Sequence, residues 1–223
     1  TAGEGLALWF FGWADNLLVG KFLGAASLGI YTVGWSINTI LFGALVNPLL
    51  PVLYTSFSRL QADRTALHAL FTDANRMVMA LTLPLGAGLL LLGPDLAVIF
   101  FGSHWPGLGF VLGILGLMMG MGWMVGINHE LYRAIGRPDL NTKLMFIFIL
   151  YYLPAFIIAA PFGLEVFVST RLGVGLLAIP IHLYVSARVL GLSPFYLWHN
   201  GRSIFIATLG MAFSLCCFRW ALS

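Results

Sequence analysis

Charged residues and cysteines are scarce in this sequence. Only 11 Lys or Arg and 8 Asp or Glu occur among 223 residues, whereas 60% of the residues are hydrophobic and the mean hydropathy is +0.96. Soluble domains carry about 25% charged residues, so these few charges cannot cover a water-facing surface. Cys216 and Cys217 are adjacent within an apolar run, which indicates neither a disulfide framework nor a metal site.

Motifs that would indicate an enzyme are also missing. The sequence has no H-E-x-x-H, no G-x-S-x-G and no glycine-rich phosphate loop after a strand. Its five histidines are scattered over separate segments: His68, His104, His129, His182 and His199. The sequence therefore predicts a protein that is not an enzyme, with no metal site and no nucleic-acid partner.

Long hydrophobic runs dominate the chain. We identify seven, at 5–20, 27–54, 77–101, 108–132, 143–161, 164–187 and 203–221. The runs are continuous rather than alternating, which favours membrane-spanning helices over barrel strands. The sequence predicts an all-α, polytopic membrane helical bundle with about seven transmembrane helices. Pro48 and Pro51 are expected to kink or end the long second run.

The longest polar connection covers residues 56–76. Its apolar positions share one face, namely Leu60, Leu67, Leu70 and Phe71. Two interpretations remain open, an amphipathic helix lying on the membrane surface and an ordinary loop with a helical turn. Residues 102–109 and 135–143 are shorter and predict tight turns.

Basic residues predict the orientation of the chain. Alternate connections collect eight of them: Arg59, Arg64, Arg76, Arg133, Arg137, Lys143, Arg188 and Arg202. The opposite side holds Lys21 and Arg219. Because Lys and Arg accumulate on the cytoplasmic side, the connections 56–76, 133–143 and 188–202 should face the cytoplasm.

Five polar residues in or beside the hydrophobic runs are candidates for a substrate cavity: Asp15, Asn38, Glu130, Arg133 and Arg171. A charge at the bilayer centre costs about 2.5–3.5 kcal/mol on insertion scales, so it needs a partner or a function. Asp15 either bonds a neighbouring helix or lines a cavity. Glu130 and Arg133 are spaced i,i+3, which predicts an ion pair at a helix end. Arg171 suits a phosphate or carboxylate.

Four motifs resemble those of a known transporter family. The stretch 15–31 fits the pattern D-x-x-x-x-G-x-x-L-G-x-x-x-L-G-x-Y, matched by Asp15, Gly20, Leu23, Gly24, Leu28, Gly29 and Tyr31. Three shorter motifs follow in order: the proline-containing stretch 47–63, Gly102 with Trp105, and Ala134, Gly136, Arg137 and Pro138. Together they resemble bacterial polysaccharide flippases of the multidrug/oligosaccharidyl-lipid/polysaccharide exporter superfamily. From residue 144 onward only the hydrophobic pattern agrees.

The resemblance implies an architecture. Residues 1–188 would form the six-helix C-terminal lobe of a two-lobed flippase, and 189–223 a linker and one additional transmembrane helix. Since the chain starts at Thr1, we expect a fragment whose N-terminal lobe is missing. The expected location is the bacterial cytoplasmic (inner) membrane.

The resemblance also implies a function, the translocation of an undecaprenyl-diphosphate-linked oligosaccharide for surface polysaccharides such as O-antigen, lipopolysaccharide or exopolysaccharide. Alternating access would move it. Arg171 would hold the anionic head group, and Asp15 would couple transport to H⁺ or Na⁺, with no other cofactor. The expected partners are this lipid-linked oligosaccharide, membrane lipids and the missing lobe.

Three alternatives remain open. One is a lipid II-type or small-molecule exporter of the same superfamily. Another is a membrane-embedded polysaccharide polymerase or ligase, which should have a large outer loop, whereas every outer connection predicted here is short. The third is a scaffolding membrane protein, in which the charges within the membrane would serve only helix packing.

Overall fold

The computed structural model describes residues 2–193 and 195–222, with side chains described for 12–193, 195–196 and 198–221. Within this part of the chain we find helices and no strand. The helices are α1 (Ala2–Val46), α2 (Leu49–Leu60), α3 (Arg64–Phe101), α4 (Leu108–Gly126), α5 (Asn128–Ala134), α6 (Asp139–Ala159), α7 (Leu164–Leu190) and α8 (Tyr196–Leu222), with a 3₁₀ turn at Ala160–Phe162. The all-α prediction is confirmed.

Six stretches of the described residues are long and apolar enough to cross a membrane, a crossing that takes about 20 residues. They are 12–46, 64–101, 108–134, 139–162, 164–190 and 198–221. The third combines α4 with α5, and the fourth combines α6 with the 3₁₀ turn. The chain is therefore a multi-pass membrane protein.

Helix α1 is bent back on itself at Gly24, whose backbone is not helical (φ 82°, ψ 176°). Sixteen residues of straight helix would separate Asp15 from Tyr31 by about 24 Å. Instead the Tyr31 hydroxyl donates a hydrogen bond of 2.5 Å to the Asp15 carboxylate. The predicted runs 5–20 and 27–54 thus correspond to two arms of one hairpin. The second arm ends at Val46, close to Pro48 as predicted.

Replacing Gly24 with alanine should loosen this hairpin. The combination of positive φ and extended ψ is essentially restricted to glycine, so a side chain there costs about 1–3 kcal/mol. We expect Gly24→Ala to lower the unfolding midpoint of the detergent-purified protein. Gly29→Ala is the matched control, because a Cβ atom at Gly29 would have no neighbour within 4 Å. Equal midpoints for the two variants would contradict this prediction.

The connection 56–76 does not form a separate surface helix, so that interpretation is wrong. Helix α2 ends at Leu60, and α3 begins at Arg64. Asp63 caps the start of α3, because its carboxylate accepts a hydrogen bond from the Ala66 amide. Leu67 and Phe71 are buried in the protein core. Their apolar face packs against neighbouring helices and is therefore not available to lipid.

Helices α3 and α4 approach each other through glycines. A Cβ atom on Gly86 would lie 2.8 Å from the carbonyl oxygen of Gly116, and one on Gly93 would lie 2.6 Å from that of Gly109. Small residues allow helix backbones to approach this closely in membranes. The glycine-rich stretch 113–126 therefore forms part of this close helix contact.

Helix α8 packs along α3. The Arg219 guanidinium donates a hydrogen bond of 2.6 Å to the Leu91 carbonyl and lies 3.5 Å from the Asp95 carboxylate. Arg219 therefore lies beside the last three turns of α3. Each spanning helix carries the chain to the opposite end of the bundle, so the end of α8 and the 102–107 turn lie at the same end. Which end of the bundle faces the cytoplasm remains a prediction. The division of the chain at residue 188, between a six-helix lobe and an additional helix, also remains a prediction.

Candidate functional site

A buried ion pair joins α1 and α7. Asp15 is 4% exposed, and the Arg171 side chain is 13% exposed. Arg171 Nη1 contacts Asp15 Oδ2, and the Tyr31 hydroxyl donates to the same oxygen. The Asn16 amide donates to the other carboxylate oxygen at 2.9 Å. Both oxygens of the Asp15 carboxylate are thus hydrogen-bonded.

The two charges lie at similar depth below one end of the bundle. Asp15 precedes the bend at Gly24 by nine residues, about 13 Å of helix. Arg171 follows the start of α7 at Leu164 by seven residues, about 10 Å of helix. Half of a hydrocarbon layer is about 15 Å thick. A membrane surface at the level of the Gly24 bend and the α6–α7 turn would place the pair inside this layer.

Aromatic rings surround the Arg171 guanidinium. Its Cζ atom is 4.3 Å from the centre of the Trp35 ring, 5.4 Å from that of Phe156 and 5.8 Å from that of Tyr31. Ring faces stabilise a cation that has lost contact with water. Arg171 Nε is buried without a hydrogen-bond partner in the described structure. The guanidinium therefore retains an N–H donor that Asp15 does not use.

The five candidate cavity residues do not form one site. Asn38 is fully buried and donates hydrogen bonds to the carbonyls of Gly34 (2.9 Å) and Leu112 (3.2 Å). The bond to Leu112 joins α1 to α4 at a helix contact. Asp15 and Arg171 meet in one site, whereas Glu130 and Arg133 lie apart from them on α5.

The predicted pairing of Glu130 with Arg133 is confirmed, at a site of its own on α5. Arg133 Nη1 lies 3.1 Å from Glu130 Oε2, and its guanidinium lies 5.1 Å from the centre of the Tyr54 ring. The Arg133 side chain is 54% exposed. An ion pair this accessible contributes about 0–1 kcal/mol.

A cavity of about 350 Å³ between α4, α6 and α7 was not predicted. His129 and His182 line it with ring centres 5.5 Å apart, and Tyr152 contributes from α6. Gly175 also lines it, one helical turn from Arg171 on α7. The two histidines belong to separate helices, so no local spacing could have indicated their meeting.

These features define a class of protein, a multi-pass membrane protein with a buried ion pair between two of its candidate spanning segments. Residues 1–108 match the family model described as "Polysaccharide biosynthesis protein". The chain is 27% identical to the teichuronic acid biosynthesis protein TuaB of Bacillus subtilis over 127 residues, which are 56% of this chain and 26% of that protein. It is 25% identical to the lipopolysaccharide biosynthesis protein WzxC of Escherichia coli over 148 residues, 65% of this chain and 29% of that protein.

The chain is thus related to bacterial polysaccharide biosynthesis proteins, which confirms the resemblance predicted from the motifs. It aligns with slightly more than a quarter of the length of these two relatives. No solved structure matches it. Asp15 and Tyr31 fall within residues 1–108, which the family model matches, and Arg171 lies beyond them.

Proposed function

We propose that this chain forms part of a transporter that moves an undecaprenyl-diphosphate-linked oligosaccharide across the bacterial cytoplasmic membrane. The observation that supports this most is the buried pair of Asp15 and Arg171. The relationship to polysaccharide biosynthesis proteins supports the substrate class. Because the connections 102–107 and 163 are short and provide no large outer loop, we favour a transporter over an enzyme of the same process.

The physical argument concerns the cost of keeping charges in the membrane. Well-packed apolar residues often stabilise a protein as well as a buried ion pair does or better, so a purely structural contact does not need these charges. An arginine inside the hydrocarbon layer can, however, exchange one anion for another. Arg171 has an N–H donor left over, and a diphosphate offers several acceptor oxygens in the geometry that guanidinium groups prefer.

In this proposal the diphosphate competes with Asp15 for Arg171. When the guanidinium turns to the substrate, the Asp15 carboxylate loses its partner and takes up H⁺ or Na⁺ instead. The Asp15 charge is thus neutralised, and Arg171 offsets one of the two negative charges of the diphosphate. Rocking of this bundle against a second one exposes the site to each side in turn, while the apolar outer faces of the helices leave the lipid tail in the bilayer.

A leaflet assay separates transport from the alternatives. In a strain lacking the gene, we expect lipid-linked repeat units to accumulate in the inner leaflet and surface polysaccharide to be lost. Re-expression of the full-length gene should restore both. A polymerase or ligase defect would instead leave single repeat units on the outer leaflet, and that result would overturn the proposal.

A further inference from the structure

A second cavity, of about 620 Å³, lies at the end of the bundle that carries the basic connections. Three separate parts of the chain supply arginines to it: Arg64 at the start of α3, Arg137 in the turn before α6, and Arg188 near the end of α7. Its apolar lining includes Leu67, Ile135, Leu140, Val185, Val189 and Leu190. The cavity therefore combines positively charged arginines with an apolar lining.

Most of this positive charge is not neutralised by the protein. Arg64 and Arg188 have no carboxylate partner among the residues that the structure describes, and Arg188 lies 5.3 Å from the centre of the Tyr184 ring. Arg137 is paired with Asp139 through bonds of 3.0 and 3.2 Å.

Asp139 also binds Lys143 at 3.0 Å, so this carboxylate is shared between two cations. His68 lines the same cavity, and its Nε2 atom is buried without a partner in the described part of the chain. The cavity thus combines unneutralised guanidinium groups with an unused imidazole nitrogen.

We propose that this cavity binds the phosphate group of an anionic membrane lipid. Guanidinium groups bind phosphate oxygens through paired hydrogen bonds, and the apolar lining suits the lipid's glycerol and upper acyl carbons. The predicted orientation places the cavity at the cytoplasmic membrane surface, the level at which lipid phosphates lie. Basic pockets between membrane helices bind anionic head groups there. This inference does not depend on what the protein transports.

The simpler explanation is a set of solvated charges that only orient the protein in the membrane. Arg59 and Arg202 provide the comparison, because they are exposed and do not line this cavity. Replacing Arg64 and Arg188 removes the same net charge as replacing Arg59 and Arg202. Any difference between the two double variants therefore reports the cavity and not the overall charge.

The test uses the purified full-length protein in detergent, with phosphatidylglycerol or phosphatidylcholine added. Bound lipid is counted by native mass spectrometry, and the unfolding midpoint is measured with and without lipid. We expect the wild type and the variant R59Q/R202Q to bind phosphatidylglycerol preferentially and to be stabilised by it. R64Q/R188Q should bind phosphatidylglycerol at least tenfold more weakly, and phosphatidylcholine should bind weakly to all.

Two further arms complete the test. R64K/R188K keeps the charge but loses the paired geometry, so we expect intermediate binding, and this variant decides the question if R64Q/R188Q does not fold. Inorganic phosphate at millimolar concentration should not displace the lipid. Equal losses of phosphatidylglycerol binding in R64Q/R188Q and R59Q/R202Q would identify a solvated basic face. Efficient displacement of the lipid by inorganic phosphate would identify a site for the free ion. Either result would overturn the proposal.

Discussion

Arg171→Ala is expected to abolish surface polysaccharide assembly and to lower the free energy of unfolding by about 3–5 kcal/mol, the cost of leaving a buried charge without its partner. Asp15 is 4% exposed, and the cation that balances it comes from another helix. The remaining hydrogen bonds from Tyr31 and the Asn16 amide do not carry a positive charge. The variant should therefore both fold poorly and fail to transport.

The double variant D15A/R171A separates these two effects. Removing both charges leaves no unpaired ion, so we expect its free energy of unfolding to recover most of the loss. Transport should nevertheless stay absent, because the proposed partner of the diphosphate is gone. The measurements are unfolding of the purified full-length protein and complementation of a strain that lacks surface polysaccharide.

The exposed pair on α5 is the matched control for this experiment. E130A/R133A also removes one ion pair, but its arginine is largely accessible to solvent, so we expect a change of no more than about 1 kcal/mol. If D15A/R171A restored surface polysaccharide, the buried pair would have only a structural role. Our assignment of Arg171 to the substrate path would then be wrong.

Gly120→Ala is expected to lower the free energy of unfolding by about 1–3 kcal/mol through overpacking. Its Cβ atom would lie 2.6 Å from the Thr82 carbonyl oxygen and 3.0 Å from the Gly86 Cα atom. Both neighbours are backbone, so the whole of α3 would have to move away from α4. A single methyl group should therefore weaken the extensive contact between α3 and α4.

Gly122→Ala is the control, on the same helix and two residues away. A Cβ atom there would meet no other atom within 4 Å, and alanine is the better helix former by about 1 kcal/mol. We expect this variant to be at least as stable as the wild type. The unfolding midpoints of the two purified variants provide the comparison, and a similar loss in both would contradict the proposed backbone contact.

Features that depend on local order could be predicted from the sequence. Hydrophobic runs near the length of a bilayer crossing predict spanning helices because the thickness of the membrane sets that length. The pairing of Glu130 with Arg133 was likewise predictable, since residues three apart on a helix share a face. The motifs between 15 and 143 indicated the related proteins.

The wrong interpretation of residues 56–76 shows the limit of such reasoning. An apolar face on a polar segment predicts that something apolar covers it, and the sequence does not say whether this is lipid or protein. In the structure Phe71 packs against the ring of Tyr196 from α8, at 5.8 Å between ring centres. The covering surface comes from a distant part of the chain.

By itself the sequence determined the class of the protein, the approximate positions of its crossings and the identity of its costly charges, because each of these follows from hydropathy and local spacing. Only the tertiary structure decided how those charges are used. Asp15 and Arg171 are 156 residues apart, and the three arginines of the basic cavity come from three separate parts of the chain. Contacts between residues so far apart in the sequence depend on how the helices pack against each other. Hydropathy constrains that packing very little.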